Sequence, residues 1–248
     1  MDSLSILESC SRMDWKVRVR FSKTWRHVSP RGDLIGVSFI EVDDNASRMH
    51  GWIRSALINL FEHEFVEGRL LDIQNFVVRP YHNYEINRCF TADKHMLLTP
   101  ITAIVPVQQI LPNFLMHVFC CIPLNFIPDH GEQESYLIDV VGIIQSVQNF
   151  NSYTDRNGIE QSSVKFVLAN NDETTISVTF WNKLAISFMG QTEGFEPYPI
   201  SVIISSCKVI MHRGNPTLTN LNATRFYVNP LRPCPHMLLN GYQDFAVI

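Results

Sequence analysis

From Trp15 to Phe21 apolar and polar side chains alternate without a break: Val17, Val19 and Phe21 fall on one face, Lys16, Arg18 and Arg20 on the other. A two-residue period of this kind predicts a half-buried β-strand. Ser29-Pro30-Arg31-Gly32-Asp33 is turn chemistry, and Leu34–Val42 reads as a second, more buried strand. Asp43-Asp44-Asn45 turns the chain into a third strand, Arg48–Arg54. Ser55 is placed to cap a helix on which Leu57, Leu60, Phe61 and Phe65 recur at helical spacing, with Gly68 ending it. Two more strand-like runs follow, Leu70–Val78 and His95–Val107.

The second half repeats this order, and a repeat of such length decides the architecture. Leu137–Val147 predicts a strand, Tyr153–Gly158 a turn-rich loop, Ser163–Ala169 a second strand, and Thr174–Trp181 a third after the Asn170-Asn171-Asp172 turn. A short helix from Asn182 to about Met189 comes next. Strands Ile200–Met211 and Thr217–Val228 close the pattern across Arg213-Gly214-Asn215-Pro216. Three strands, a helix and two strands, written twice, predict an all-β protein with short helices: two tandem OB-type five-stranded barrels. The expected boundaries are a flexible amino terminus over residues 1–13, a first OB domain over 14–108, a proline-punctuated linker over 109–135, a second OB domain over 136–230 and a tail over 231–248.

Composition narrows the function. The 248 residues are 46% hydrophobic and 18% charged, enough to bury two cores. A net charge of −4 argues against a general electrostatic nucleic-acid binder, so any such site must be local and draw on stacking as well as charge. Met1–Ser11 lacks the pattern of a secretory signal. The most apolar stretch, Phe114–Ile127, is broken by Pro123 and is too short to span a bilayer. The six cysteines show no CxxC pair or zinc spacing, so reduced thiols in a soluble intracellular protein are expected, with no cofactor and no metal. Two glycosylation sequons, at Asn45 and Asn222, are discounted for the same reason. No G-x-S-x-G, P-loop or His-Glu-x-x-His motif is present, and no enzyme is expected.

Strand parity points to a binding face. In Thr174–Trp181, Ile176, Val178 and Phe180 line the core, which leaves Trp181 on the polar outward face with Thr175, Ser177 and Thr179. In Arg48–Arg54, His50, Trp52 and Arg54 point one way and Met49, Gly51 and Ile53 the other. An aromatic on the groove face of an OB sheet offers a platform for base stacking. The competing account is a tryptophan covered by the linker or by the neighbouring domain, and parity alone leaves both open.

Several motifs carry a resemblance. Asp139–Ile144, Val178-Thr179-Phe180-Trp181, Cys207-Lys208-Val209 and Asn229-Pro230 resemble the second DNA-binding OB domain of the replication protein A large subunit. Arg48, Glu67-Gly68-Arg69 and Ile73–Val78 resemble the first OB domain of its plant-type relatives. The resemblance covers Trp15–Pro230 and implies single-stranded DNA binding in a nuclear setting of replication, repair or recombination, with other replication or repair proteins as partners and no membrane. The family's amino-terminal protein-binding domain and its zinc-containing, trimer-forming domain have no counterpart here.

By the same resemblance Trp181 matches the family's stacking tryptophan, and Arg54 holds the place of the first domain's stacking aromatic. A guanidinium also stacks on bases. His212, followed by Arg213, stands where the second domain's other aromatic falls, and Tyr81 or Tyr84 occupies the equivalent loop of the first, with Tyr84 preferred. Lys23, Arg31, Lys165 and Lys183 lie at loop or strand ends as candidate phosphate contacts, with Lys16, Arg18 and Arg20 as further candidates. A merely solvated face accounts for such cations equally well. The rivals to single-stranded DNA binding are RNA binding and a protein-interaction scaffold whose grooves have lost nucleic acid.

Overall fold

The computed structural model describes residues 1–109, 111–193 and 200–229, and the backbone of Met237–Asn240. Two compact units divide the chain. The first is built mainly from Met1–Glu85 and Ala92–Phe119, the second mainly from Ile86–Thr91 and the described residues between Cys120 and Asn229.

In the first unit β1 (Lys16–Val28), β2 (Leu34–Val42) and β3 (Arg48–Arg54) form an antiparallel meander. A 3-10 turn at Ser55–Leu57, the single-turn helix α1 (Ile58–Phe61) and a further 3-10 turn follow. Then come β4 (Leu70–Gln74), β5 (Val77–Pro80), β6 (Lys94–Leu97) and β7 (Ala103–Pro106). The strands curl in the order β5-β6-β3-β2-β1-β4-β7. The runs predicted as single strands at Leu70–Val78 and His95–Val107 are each broken in two, the first at Asn75, whose φ of 61° is left-handed.

The helix differs from expectation. Ser55 makes no side-chain cap, and Ile58 rather than Leu60 turns inward, leaving Leu60 54% exposed. A helix this short is held by Ile58 and Phe61 packing on the barrel rather than by its own hydrogen bonds.

The amino terminus, expected to be flexible, is packed. Leu4 and Leu7 are buried in the same core as Val17, Val19, Phe21, Phe39 and Ile53. Asp43 holds the segment there: its carboxylate accepts from the Ser3 hydroxyl (2.8 Å) and the Leu4 N–H (2.9 Å), and also from Asn45 and Ser47 N–H.

β8 (His117–Cys120) and a 3-10 helix at Leu124–His130 fall within the expected linker. The second unit then runs β9 (Ile138–Val147), β10 (Asn151–Thr154), β11 (Glu160–Ala169), β12 (Thr175–Trp181), α2 (Lys183–Thr192), β13 (Ile200–His212) and β14 (Asn215–Val228). Its sheet order is β10-β11-β12-β14-β13-β9, and a further β11–β9 pairing closes five strands into a barrel. Phe166, Phe180 and Phe188 pack mutually in its core, Phe166 and Phe188 stacked at 4.3 Å. Residues 153 and 154, assigned to a loop from sequence, are instead part of β10, which pairs with the start of β11. β15 (Met237–Asn240) is the last described strand; the rest of the expected tail lies outside the described residues.

A β-bulge in β1 and another in β13 change which side chains face outward. In β1 the pairing with β2 slips between Phe21 and Lys23, and in β13 it slips between Ser205 and Cys207, where Ser206 has a φ of 57°. A bulge reverses the inward and outward parity beyond it and bends the strand.

Candidate nucleic-acid interface

In the second unit the pairings assign one outward face. Ser163 pairs with Trp181, Lys165 with Thr179, Thr179 with Thr219, and Thr219 with Lys208. Directly paired residues point to the same side of a sheet, so Trp181, Thr179, Ser177, Ser163, Lys165, Thr217, Thr219, Lys208 and Ile210 share it. Trp181 is 37% exposed. Its backbone N–H donates to the Asn220 side-chain oxygen at 2.7 Å, which fixes the end of β12 while leaving the indole free of that bond.

His212 continues the alternation of Lys208 and Ile210, pairs with Asn215 at the tip of the β13–β14 hairpin, and is exposed. Arg213 and Gly214 form the turn with φ of 51° and 80°. Positive φ at both central positions is the tight geometry that suits twisted hairpins, and it holds Arg213 outward and exposed. Lys183 is exposed at the start of α2, two residues past Trp181. Trp181, His212, Arg213, Lys165 and Lys183 are thus all on the surface of this barrel, and Trp181, Lys165 and His212 lie on one face.

In the first unit Trp25, Ser38, Trp52 and Leu97 form one row across four strands by pairing, and His27, Gly36 and Arg54 form the next. Trp52 is half-buried and Arg54 exposed. The ring of Trp52 lies against Gly36, where an added Cβ would come within 2.5 Å of Cζ2 and 2.6 Å of Cη2. His27 meets Trp52 edge to face at 5.1 Å, and its Nε2 is hydrogen-bonded to the Ser38 hydroxyl at 2.9 Å. Burial lowers the pKa of this imidazole.

Tyr84 is 77% exposed and stacks on His82, in the loop between β5 and β6. Tyr81 is turned inward instead, hydrogen-bonded through its hydroxyl to His50 and packed edge to face on His95 at 4.4 Å. Arg31 is exposed in the β1–β2 turn, where its N–H donates to the Ser29 hydroxyl.

Three cations are placed differently from expectation. Lys23 is only 4% exposed: the bulge at Ser22 sets it opposite Ile40, in a buried row with His50. Arg18 forms a two-pronged pair with Asp72 at 2.6 and 2.8 Å. Arg20 donates to the carbonyls of Phe114 and Gly68. Neither arginine is left free for phosphate.

Sequence reasoning missed Trp25, His27 and Tyr153 on these faces. Trp25 and His27 follow the bulge, which period-two alternation cannot register. Tyr153 gives no such signal, since Asn151, Ser152, Tyr153 and Thr154 are all exposed and show no alternation. Among the described residues no three His, Cys, Asp or Glu side chains are grouped to hold a metal ion, and no helix is long and apolar enough to cross a membrane.

A curled sheet and a closed five-stranded barrel, each with an aromatic on an outward sheet face, define a tandem OB-fold protein. Residues 130–229 match the family model of the replication protein A OB domain, and residues 9–117 match a domain family of unknown function, DUF223. No curated protein matches the sequence. A chain from a replication protein A heterotrimer bound to ssDNA superposes with a TM-score of 0.59 and 15% identity, over 95% of this chain and 53% of that one. This chain therefore spans about half of its solved counterpart. The Ifi202 HINa domain in complex with a 20-base-pair dsDNA aligns at a TM-score of 0.41 with 11% identity, over 87% of this chain and 96% of that one. The p204 HINb domain aligns at 0.45 with 6% identity, over 87% and 97%. Neither of these two weaker likenesses informs the site. Residues 130–229 are thus a replication protein A-type OB domain, and the chain as a whole shares the fold of a replication protein A chain.

Proposed function

We propose that this protein binds single-stranded DNA, each OB barrel taking part of one strand, in support of replication, repair or recombination in the nucleus. The observation that carries the reading is Trp181, a large aromatic held at the rim of a closed barrel on a face made mainly of Thr, Ser and Lys side chains. Such a ring stacks on any base, so little sequence preference is expected. Arg54 and Trp52 on the first barrel, with Tyr84 in its loop, supply the corresponding surface there. Lys165, Lys183, Arg31 and Arg213 supply cations that contact phosphate without reading sequence. The reading also accords with the family match over residues 130–229 and with the fold shared with a replication protein A chain. No catalytic role is assigned to any residue.

A second reading, a protein-interaction scaffold, draws on one specific observation: Lys23 is buried and Arg18 and Arg20 are engaged within a chain of net charge −4. Fluorescence anisotropy of a labelled oligo-dT, with unlabelled RNA and duplex of matched length as competitors, separates the possibilities. Saturable binding competed by single-stranded DNA supports the proposal, and stronger competition by RNA redirects it. No binding at low salt leaves the scaffold.

A further inference from the structure

The segment before the second strand of the second barrel is built as a hairpin rather than left as a loop. Asn151, Ser152, Tyr153 and Thr154 pair with Ser163, Ser162, Gln161 and Glu160. Asp155 sets the turn: its Oδ1 accepts from the N–H groups of Asn157 (2.8 Å) and Ile159 (3.0 Å), its Oδ2 accepts from Gln161 Nε2 (3.3 Å), and Gly158 takes a φ of 77°. Those N–H groups, Ile159 first, hold the Asp155 carboxyl below its ordinary pKa, so the turn keeps its anchor at neutral pH. The base of the hairpin is tied to the end of β12. Asn182, the residue after Trp181, donates from Nδ2 to Gln161 (2.8 Å), accepts on Oδ1 from the Ser162 N–H (2.9 Å) and donates its own N–H to the Ser162 carbonyl (2.7 Å).

Register then fixes where Tyr153 points. Tyr153 pairs with Gln161, Gln161 and Ser163 lie two residues apart on one strand, and Ser163 pairs with Trp181. Tyr153 and Trp181 therefore share a face, across one intervening strand. With strands ~4.8 Å apart and ~3.3 Å per residue, their Cα atoms are roughly 12 Å apart. Bases in a stack are spaced ~3.4 Å, so two rings at that separation take different bases. Tyr153 is 46% exposed, a large aromatic open to solvent on a braced hairpin, and Arg156 is exposed at its tip.

We infer that Tyr153 is a second base-stacking residue of the second barrel, holding a nucleotide separate from the one on Trp181, with Arg156 at the hairpin tip available to the adjoining phosphate. This rests on the single-stranded DNA reading above. Both residues lie within one unit, so the inference needs no particular placement of the two barrels.

The test is a set of anisotropy titrations with labelled oligo-dT on the full chain and on Tyr153→Ala, Tyr153→Phe, Trp181→Ala and Tyr153→Ala/Trp181→Ala. Tyr153→Ala is expected to weaken binding about 5- to 150-fold, the range of one base-aromatic stack, with an unchanged melting curve. Tyr153→Phe keeps the ring and is expected to bind like the parent. Because the two positions are more than ~7–10 Å apart, the losses in the double variant should multiply. If Trp181→Ala weakens binding while Tyr153→Ala stays within about twofold of the parent, less than any stack supplies, the inference falls and the single-stranded DNA reading stands. Loss in Tyr153→Phe equal to that in Tyr153→Ala overturns stacking as the role. If the parent chain binds no oligomer, the reading itself has failed and takes this inference with it.

Discussion

The indole of Trp52 lies in the space that a side chain on Gly36 would fill, with Cζ2 and Cη2 only 2.5 and 2.6 Å from where a Cβ would stand. Gly36 pairs with Arg54 on the neighbouring strand, so the glycine leaves room for the indole beside Arg54, the other candidate stacking residue of this sheet. The first prediction concerns this glycine. Gly36→Ala should displace the ring, shift tryptophan fluorescence and cost about 1–3 kcal/mol of stability, the usual penalty of overpacking. The Ile53 carbonyl crowds the same point, so Trp52→Ala should relieve only part of that cost. A thermal-denaturation double-mutant cycle measures the coupling, and full additivity would show that the two residues do not compete for the space.

Glu41 is a carboxyl inside the first barrel. It pairs with Phe21 on one side and Met49 on the other, is fully buried, and neither of its oxygens has a hydrogen-bond partner among the described residues. Burial, reinforced by the nearby Asp43 charge, pushes its pKa well above the ordinary 4.5, so the folded protein holds the neutral acid. The stability of that neutral form is in place below pH 4.5 and is lost as pH rises through the raised folded value. Glu41→Met should therefore stabilise the protein at pH 8, by about 1–3 kcal/mol for removing an unsatisfied buried polar group. The gain should shrink towards pH 5. Melting curves at the two pH values check this, and a destabilised variant at pH 8 would refute it.

His95 works in the opposite sense. Burial first, then the neighbouring Arg79 charge, lowers its pKa from 6.5 to about 4, so the imidazole packed on Tyr81 is neutral when folded. The stability of that neutral form is present above pH 6.5 and is lost as pH falls through about 4. Because Glu41 gains protons over part of the same range, the cleaner measurement is made in the Glu41→Met background. There, melting temperature should fall between pH 6.5 and 4, and adding His95→Phe should reduce that fall. An unchanged slope in the double variant would assign the loss to other groups.

Salt dependence weighs charge against stacking. Lys23 is buried and Arg18 and Arg20 are occupied, which leaves Lys165, Lys183, Arg213, Arg156, Arg31 and Arg54 among the exposed cations described on or beside the two candidate faces. If about three to five phosphates are neutralised, the slope of log affinity against log salt is about −2 to −3.5, at roughly −0.7 per phosphate for single strands. A slope of about −6 or steeper would mean an electrostatic binder.

The strand order and most strand cores were readable because period-two alternation is strong in this chain: β2 and β3 fall where Leu34–Val42 and Arg48–Arg54 predict them. Trp181 was readable for the same reason, since Ile176, Val178 and Phe180 fix its parity. The bulges were not readable. A single extra residue at Ser22 moves Lys23, Trp25 and His27 to the face of His50, Trp52 and Arg54, against the parity that Val17, Val19 and Phe21 set up, and on that face Lys23 and Trp25 are nonetheless buried. Nor was the packed amino terminus, because Leu4 and Leu7 lie in a segment too short to show any period, and it is Asp43, far along the chain, that secures it. The pairing of Arg18 with Asp72 depends on the β1–β4 register, which no local pattern encodes.

The central claim is that single-stranded DNA is held by stacking on an outward ring of the second barrel, and Trp181→Ala tests it most directly. Titration of labelled oligo-dT with the parent chain and the variant, alongside their melting curves, should show binding weakened by about 1–3 kcal/mol with the melting temperature unchanged. Equal affinity in the two proteins, or a variant that binds weakly only because its fold has collapsed, would contradict the claim.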